Sequence, residues 1–270
     1  MYVIFTDVDG TLIDHTTYSM AAASDALADL ERRGVPLVLC SSKTRAEVER
    51  LQQDLGTAHP FVTENGGAVL VPAGYFPFPL PGALRDAAYE VIALGRPYPE
   101  VVAALRDASA STGVGIVSFN DMSIEEVAAD TGLPLADARL AKLREYDEPF
   151  RLAQPGAAPL SRLVDAMATV GLRCTSGGRY HHACGLTDKG DAVRLLTRFF
   201  RSAHREVTTV ALGDGPNDIP MLLAADIPIV VSNAAGGATS EVLRRVPGAR
   251  VTDRDGPEGW REAIGELLDR

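Results

Sequence analysis

The chain has 270 residues, 46% hydrophobic and 23% charged, which is typical of a soluble globular protein and long enough to favour two domains. Its 36 acidic and 26 basic residues leave a net charge of −10, which argues against nucleic acid or an acidic membrane surface as a partner. No apolar run approaches the ~18 residues of a membrane span, the N-terminus lacks a secretion-signal pattern, and the three cysteines lack CxxC spacing, so we expect a cytoplasmic protein with reduced thiols.

Predicted strands and helices alternate through residues 1–71. Short apolar runs indicate the strands, and apolar residues at helical spacing indicate the helices. The turn at 64–67, with the sequence ENGG, predicts a hairpin between the last two of these strands. The predicted strands are 2–5, 35–40, 60–62 and 68–71, and the predicted helices are about 19–33 and 44–55. This alternation is typical of an α/β sheet with parallel strands.

The pattern changes after residue 71. Residues 72–82, with four prolines and two glycines, predict a semi-rigid connector between domains, with an ordinary surface loop as the alternative. Helices dominate from there to residue 184, and Gly177-Gly178 predicts a hairpin turn. The predicted helices are about 99–111, 124–131, 135–143 and 160–170, and the predicted strands are 114–119, 149–153, 171–176 and 179–184.

The α/β pattern resumes near residue 189. A helix over about 189–203 precedes strands at 207–212 and 227–231, and a helix over about 257–268 closes the chain. We therefore predict an α/β fold with a Rossmann-like core of residues 1–82 and 185–270, which has a mainly parallel sheet. Residues 83–184 would form an inserted α+β domain.

Polar side chains follow the predicted core strands where those strands end. Because the carboxyl ends of parallel strands lie along one edge of a sheet, we expect these side chains to converge. Taken singly, each also fits a turn, a helix cap or a surface charge. The residues are Asp7, Asp9, Ser41, Asp214 and Asp218, with Lys189 at the start of a helix.

The charge of this set predicts a metal ion. The four carboxylates carry −4 when ionised and Lys189 returns +1, so a phosphate dianion would be repelled unless a divalent cation were bound. Carboxylate oxygens suit Mg²⁺, and we predict ligands from the side chains of Asp7 and Asp214 and from the backbone carbonyl of Asp9. Ser41 and Lys189 are suited to binding phosphate oxygens.

The set resembles the four motifs of the haloacid dehalogenase (HAD) superfamily of phosphohydrolases. The matching residues are DVDGT at 7–11, Ser41, Lys189 and GDGPND at 213–218. The resemblance implies that Asp7 is the nucleophile that forms an aspartyl-phosphate and that Asp9 is the general acid/base. It also implies that Asp214 binds Mg²⁺, and that Asp218 either binds the ion through water or supports its ligands.

The long interval between Ser41 and Lys189 resembles the position of a type 2 cap in Cof-like phosphatases. Strings within it are similar to the mannosyl-3-phosphoglycerate phosphatase family, and the likeness spans nearly the whole chain. The most distinctive strings are FNDMS at 119–123, REYDEPF at 144–150 and GGRYHH at 177–182. Residues 83–184 are accordingly expected to be a cap that closes over the site.

That family removes phosphate from 2-O-mannosyl-3-phosphoglycerate and releases mannosylglycerate, a compatible solute. The expected partner is thus a phosphorylated glycoside of glycerate, bound by a monomer or a homodimer. Arg144, Arg151, Arg179 and His182 are the predicted partners of the glycerate carboxylate, because arginine in particular presents a planar fork. Glu148 and Asp147 are predicted to accept hydrogen bonds from sugar hydroxyls.

Several alternatives stay open at this point. A preference for the glucosyl substrate, or a broader sugar-phosphate phosphatase, would change the leaving group and keep the chemistry. A phosphotransferase or mutase would need the aspartyl-phosphate sealed from water, and no motif here demands that. A non-catalytic binding module would be expected to lack Asp7 or Asp9, and both are present.

Overall fold

The computed structural model describes residues 1–177, 179–233 and 237–269, and the strands within these residues form two sheets. In chain order, the strands are β1 (Tyr2–Thr6), β2 (Leu37–Cys40), β3 (Phe61–Thr63), β4 (Ala68–Pro72), β5 (Leu84–Asp86), β6 (Tyr89–Ala93), β7 (Ile116–Ser118), β8 (Asp147–Leu152), β9 (Arg173–Gly177), β10 (Tyr180–Cys184), β11 (Thr208–Gly213), β12 (Ile227–Ser232) and β13 (Arg250–Asp255). The helices are α1 (Ser24–Arg32), α2 (Arg45–Leu55), α3 (Tyr98–Thr112), α4 (Ile124–Thr131), α5 (Leu135–Ala141), α6 (Ala157–Thr169), α7 (Lys189–Ala203), α8 (Ile219–Ala224), α9 (Gly237–Arg245) and α10 (Gly256–Leu268).

The larger sheet has nine described strands in the order β13-β12-β11-β1-β2-β3-β4-β6-β5. The pairs from β13 to β3 are parallel, and the pairs from β3 to β5 are antiparallel. This arrangement confirms the predicted α/β fold with a mainly parallel sheet. It also places the ends of β1, β2 and β11 side by side. Most of the predicted site residues come directly after these strands in the chain.

Capping groups fix where two helices near that edge begin. Thr44 caps α2 by accepting a hydrogen bond from the amide of Glu47, whose side chain binds back to Thr44, and a left-handed Gly56 ends the helix. Asp188 caps α7 in the same reciprocal way with Asp191, so Lys189 is the first helical residue. No helix in the described part of the chain has both the length and the apolar character to cross a membrane.

Apolar residues cover both faces of the larger sheet. Successive side chains of β1 point to opposite faces, so Ile4 packs with Trp260 on one side and Phe5 packs with Phe200 on the other. Trp260 is fully buried, and its indole nitrogen donates to the hydroxyl of Thr6 at 3.0 Å. The cysteines of the chain are free thiols, as expected.

The second sheet lies within the predicted insertion. Its strands run antiparallel in the order β7-β8-β10-β9, and α3 and α6 pack on it around Phe150 and Leu163. An α+β unit with its own sheet and apolar core is therefore present, as predicted. β9 pairs with β10 from Gly177 opposite Tyr180, while Gly178 of the predicted turn lies outside the described residues. We call this unit the cap.

The predicted connector at 72–82 is wrong. Phe76 and Leu80 are buried in the larger core, where Phe76 lies 5.1 Å from Phe200 between ring centroids. The chain then returns to the same sheet as β5 and β6, which pair next to β4. The prolines favoured a connector, but the apolar residues between them decide the packing of this segment against the core. The predicted domain limits at 82/83 and 184/185 stay a prediction.

Candidate active site

The turn after β1 brings Asp7 and Asp214 together. The amide of Asp7 donates to the carbonyl of Leu212 on β11 at 2.9 Å, so the chain stays along the sheet up to that point. It then turns at Gly10, which has a φ of +84°. A Cβ at Gly10 would lie 2.9 Å from Oδ2 of Asp214. Glycine is therefore required both for the turn and for the close approach of Asp214.

Lys189 joins two carboxylates at this edge. Its Nζ lies 2.5 Å from Oδ1 of Asp7 and 2.6 Å from Oδ1 of Asp218. The lysine is fully buried, and burial opposes its charge, but the attraction of Asp218 and Asp7 raises its pKa above the ordinary value. Lys189 therefore stays protonated. Burial, and then repulsion from Asp218, raises the pKa of Asp7.

The loop after β11 holds its two carboxylates differently. Both oxygens of Asp218 are engaged, because Oδ1 binds Lys189 and Oδ2 accepts from the amides of Asp214 at 3.1 Å and Gly215 at 3.0 Å. Asp214 accepts from the hydroxyl of Thr11 at 3.1 Å and from the side-chain amide of Asn233 at 3.2 Å. Burial and the nearby Asp218 raise the pKa of Asp214 to about 6. The ionised form of Asp214 is therefore disfavoured here, and its two hydrogen bonds and Lys189 offset that only in part.

The donor set fits a divalent cation. One carboxylate oxygen from each of Asp7, Asp214 and Asp218 lies within 4.8 Å of the others. Three carboxylates face a single ammonium in a buried place, and hard oxygen donors suit Mg²⁺ or a similar ion. Asp218 is held by Lys189 and by two backbone amides of its own loop, whereas Asp214 accepts, among the described residues, only from two neutral side chains. Asp7 and Asp214 are therefore the better-placed ligands, and Asp218 fixes the loop.

Asp9 lies beside a lysine that the motif analysis did not single out. Nζ of Lys43 is 3.0 Å from Oδ1 of Asp9, in an ion pair that lacks hydrogen-bond geometry. The Asp9 side chain is 30% exposed, so it faces the open side of the edge, whereas Asp7 is buried. Although burial disfavours its charge, Asp9 and Glu47 raise the pKa of Lys43, which keeps a second cation at this edge.

Ser41 is buried at the end of β2 and lies in the same loop as Lys43. Its hydroxyl oxygen accepts from the amide of Lys43 at 3.1 Å. The reading of Ser41 as the cap of α2 is wrong, because Thr44 holds that position. Its hydroxyl is therefore free of a capping role.

In the cap, Asp147 binds the side chains of both Arg144 and His182. Oδ1 of the buried Asp147 lies 2.9 Å from Nδ1 of His182 and 3.3 Å from Nη1 of Arg144. Burial opposes the charge of Asp147, but His182 and Arg144 keep its pKa below the ordinary value. Arg144 also donates to the carbonyl of Ser42 at 2.7 Å, which ties this cluster to the loop after β2.

The cap reaches the core edge at one further place. A Cβ built on Gly177, at the end of β9, would lie 3.6 Å from Nδ2 of Asn217 and 3.9 Å from Nε2 of His182. Gly177 therefore lies close both to the ring of His182 and to the loop that carries Asp214 and Asp218. The cap thus lies over the carboxylate edge.

Comparison with known proteins identifies the family. The haloacid dehalogenase-like hydrolase profile matches residues 4–75 and 185–242. A glucosyl-3-phosphoglycerate/mannosyl-3-phosphoglycerate phosphatase from Methanococcoides burtonii is 43% identical over 269 residues, which are 100% of this chain and 98% of that protein. The chain belongs to the mannosyl-3-phosphoglycerate phosphatase family of HAD hydrolases. A mannosyl-3-phosphoglycerate phosphatase from Pyrococcus furiosus is 34% identical over 231 residues, covering 86% of this chain and 91% of that protein.

Solved structures agree in fold. A HAD subclass IIB sugar phosphatase superposes with a TM-score of 0.68 at 17% identity, covering 99% of both chains. Thermoplasma acidophilum 0175 superposes with a TM-score of 0.69 at 19% identity, covering 99% of this chain and 98% of the other. Family membership makes this HAD protein a phosphoric monoester hydrolase, with a cap like that of the Cof-type phosphatases.

The structure brings most predicted site residues of this HAD phosphatase together and separates two of them. Arg144 and His182 meet at Asp147. Glu148 is buried inside the cap, where its two oxygens accept from the hydroxyl of Tyr98 at 2.6 Å and from the amide of Asn120 at 2.7 Å. Arg179 is exposed and donates to the carbonyl of Thr131.

Asp147 and Glu148 were predicted to bind sugar hydroxyls, and both carboxylates are buried. Each is engaged by protein groups in this conformation: Asp147 by Arg144 and His182, and Glu148 within the cap. They are therefore placed as supports for their neighbours.

Sequence reasoning missed three polar residues of this HAD phosphatase site. Lys43 follows Ser41 by two positions, so its place after the second strand was the available signal. Glu64 and Asn65 were read only as a hairpin turn, yet both are buried and both contact the cap. A buried acid in a turn has no distinct sequence signature, because turns ordinarily carry exposed polar residues.

Proposed function

We propose that this phosphatase hydrolyses the phosphomonoester of 2-O-mannosyl-3-phosphoglycerate and also accepts the glucosyl form. The observation that carries the proposal is the 43% identity, over the whole chain, with a relative named for both substrates. The Pyrococcus furiosus relative named for the mannosyl substrate alone is less similar, at 34%. The two sugars differ in the configuration of one hydroxyl, so one site can accept both.

In the proposed reaction, Asp7 attacks phosphorus and the bond from phosphorus to the ester oxygen breaks. Asp9 gives a proton to the departing oxygen, which leaves an aspartyl-phosphate on Asp7. Asp9 then takes a proton from water, the resulting hydroxide attacks phosphorus, and the bond to Asp7 breaks to release inorganic phosphate. The division of labour is supported by exposure, because Asp9 is open to a leaving group and Asp7 is fixed by Lys189.

Asp7 and Asp214 would hold Mg²⁺, together with the backbone carbonyl of Asp9. When bound, the ion would neutralise excess carboxylate charge and draw electron density from the phosphoryl oxygens. Asp218 would keep the loop of Asp214 in place. Lys189, and the hydroxyl of Ser41, would bind the phosphate oxygens.

The cap would recognise the rest of the substrate. The glycerate carboxylate would be bound by Arg144 and His182. Both contact the buried acid Asp147, on the face of the cap nearest the core edge. His182 would present Nε2, since Nδ1 is bound to Asp147. Arg179, which is exposed near the end of β9, would at most contact substrate at the rim. Free thiols fit the cytoplasm as the place where the enzyme works.

Phosphate release tests the proposal. The protein is assayed with Mg²⁺ on mannosyl-3-phosphoglycerate, glucosyl-3-phosphoglycerate, sucrose-6-phosphate and mannose-6-phosphate. We expect the two phosphoglycerates to be hydrolysed with the highest kcat/KM, by about tenfold or more over the simple sugar phosphates. Equal rates on all four would contradict the assignment and favour a broad sugar-phosphate phosphatase.

A further inference from the structure

A buried acid of the core is held by the backbone of the cap. Glu64 is fully buried, and its carboxylate accepts from three consecutive amides: Glu145 at 3.0 Å, Tyr146 at 2.8 Å and Asp147 at 2.9 Å. Successive amides that converge on one anion form a concave anion site. Here the acid belongs to the core and the amides belong to the cap, so the contact crosses the interface. Burial raises the pKa of Glu64 to about 8, while Arg144 and the amides of Tyr146 and Glu145 favour its charged form.

Asn65 makes a second link beside it. Its side chain donates to Oδ2 of Asp147 at 2.8 Å and accepts from Nδ2 of Asn217 at 3.3 Å. One residue therefore connects the loop of Asp214 and Asp218 to the acid that holds Arg144 and His182. On the core side, its amide donates to the carbonyl of Ser41 at 3.0 Å.

The backbone of this turn is adapted to these contacts. Glu64 and Asn65 have φ values of +49° and +57°, in the left-handed region that side chains other than glycine seldom adopt. A Cβ at Gly66 would lie 2.2 Å from the carbonyl oxygen of Asp188, and one at Gly67 would lie 2.4 Å from Cβ of Tyr146. Two adjacent residues in an unfavourable conformation persist only where the surroundings require it.

We propose that Glu64, Asn65 and the amides of residues 145–147 form a cap latch, which holds the cap over the active site. Glu64 and Asn65 are positioning residues: they act through the cap and do not touch the reacting atoms. The latch aligns Arg144 and His182 with the loops of Ser41 and Asn217. The expected effect of the latch on large substrates rests on the function proposed above. The contact between core and cap does not depend on that function.

The latch predicts different effects on large and small substrates. A glycosyl phosphoglycerate must be enclosed by the cap, whereas p-nitrophenyl phosphate needs only the carboxylate edge. Glu64→Gln keeps the size of the side chain but turns one acceptor into a donor that faces backbone amides, which are donors themselves. We expect kcat/KM for mannosyl-3-phosphoglycerate to fall by about 10- to 100-fold, and kcat/KM for p-nitrophenyl phosphate to stay within about twofold.

Hydrogen exchange of the protein alone reports the latch directly. Amides of peptides containing residues 145–147 should exchange faster in Glu64→Gln than in the wild type. Asn65→Gly removes the side chain that bridges core and cap, and glycine adopts the left-handed conformation of this position without strain. It should therefore speed exchange in the same way. Asp107→Asn, on the exposed face of α3 in the cap, is the control: it replaces an acid by its amide away from the latch, and should leave exchange and both activities unchanged.

Two results would overturn the latch: unchanged exchange at 145–147 in both variants, or equal losses on both substrates, which would indicate general damage to the site. If the wild type releases no phosphate from either phosphoglycerate, the proposed function fails by itself. The exchange measurement then still decides the latch.

Discussion

The edge of the core sheet and the facing surface of the cap differ in how their polar groups are organised. At the core edge, side chains from three separate strand ends meet within hydrogen-bond distance, with Lys189 between Asp7 and Asp218. On the cap, the predicted residues divide: Arg144 and His182 share Asp147, whereas Glu148 and Arg179 bind elsewhere. The order of the strands thus brings the core-edge groups together, whereas the positions of the cap groups depend on packing around one antiparallel sheet.

The largest expected effect lies at the core edge. Asp7→Asn removes the proposed nucleophile but keeps the size of the side chain, so we expect kcat to fall by about 10⁴-fold or more. Phosphate release from mannosyl-3-phosphoglycerate measures it, with circular dichroism to establish that the variant is folded. Full activity in this variant would remove the distinction between a catalytic core and a selective cap.

Removal of the metal is expected to cause the next-largest loss of activity. Treatment with a chelator is expected to lower phosphate release by about 10²- to 10³-fold, and added Mg²⁺ should restore it, because the carboxylate edge then repels the substrate. Activity that is insensitive to chelation would contradict the assignment of Asp7 and Asp214 as ligands.

The same site predicts how stability depends on pH. Burial and Asp218 raise the pKa of Asp214 from 3.8 to about 6, so the metal-free folded protein binds a proton there that the unfolded chain has lost. Its stability should therefore fall as pH rises through that interval, and a bound cation should offset the loss. Mg²⁺ is expected to raise Tm more at about pH 7.5 than at about pH 5. Equal shifts at both pH values would contradict this.

The core was predictable from sequence because its signals are local. Asp188 and Thr44 cap helices by short-range hydrogen bonds, so the position of Lys189 at a helix start follows from a few neighbouring residues. Parallel strand ends then bring such residues to one edge. β5 and β6 were missed because they follow a proline-rich segment, and their pairing with β4 depends on contacts that the segment itself does not encode.

The latch and the cap contacts were not predictable for a different reason. The carboxylate of Glu64 accepts from groups more than eighty positions away along the chain, and these groups are backbone amides, which nearly every residue has. Asn65 likewise binds Asp147 and Asn217 on two other elements. In contrast, Asp9 and Lys43 come from adjacent strand ends, and only the identity of the lysine was overlooked.

A smaller loss is expected from Lys43, which tests whether the core edge extends beyond the four motifs. Lys43→Gln removes the cation 3.0 Å from Asp9 and leaves that carboxylate without its ionic partner. We expect kcat/KM for mannosyl-3-phosphoglycerate to fall by about 10- to 100-fold. Arg162→Gln, on the exposed face of α6 in the cap, is a control for loss of one positive charge, and equal effects of the two changes would contradict a specific role.

The smallest effect is expected from Glu148→Gln in the cap. The glutamine oxygen can accept from the amide of Asn120, and its amino group can donate to the hydroxyl of Tyr98, which can reorient. We expect kcat/KM on both phosphoglycerates to stay within about threefold of the wild type. Glu148→Ala leaves both groups unpaired and creates a cavity, so it should lower the free energy of unfolding by about 2–4 kcal/mol in denaturant titrations.

The two changes at Glu148 separate a support from a ligand. A ligand of a sugar hydroxyl would lose affinity in Glu148→Gln as well, and KM for the mannosyl substrate would rise while stability stayed unchanged. A support would be rescued by glutamine in both respects, because glutamine restores the hydrogen bonds that alanine removes. A raised KM in Glu148→Gln would indicate that this acid contacts the substrate. The cap motif would then have predicted a binding residue as well as the core motifs predicted the residues at the core edge.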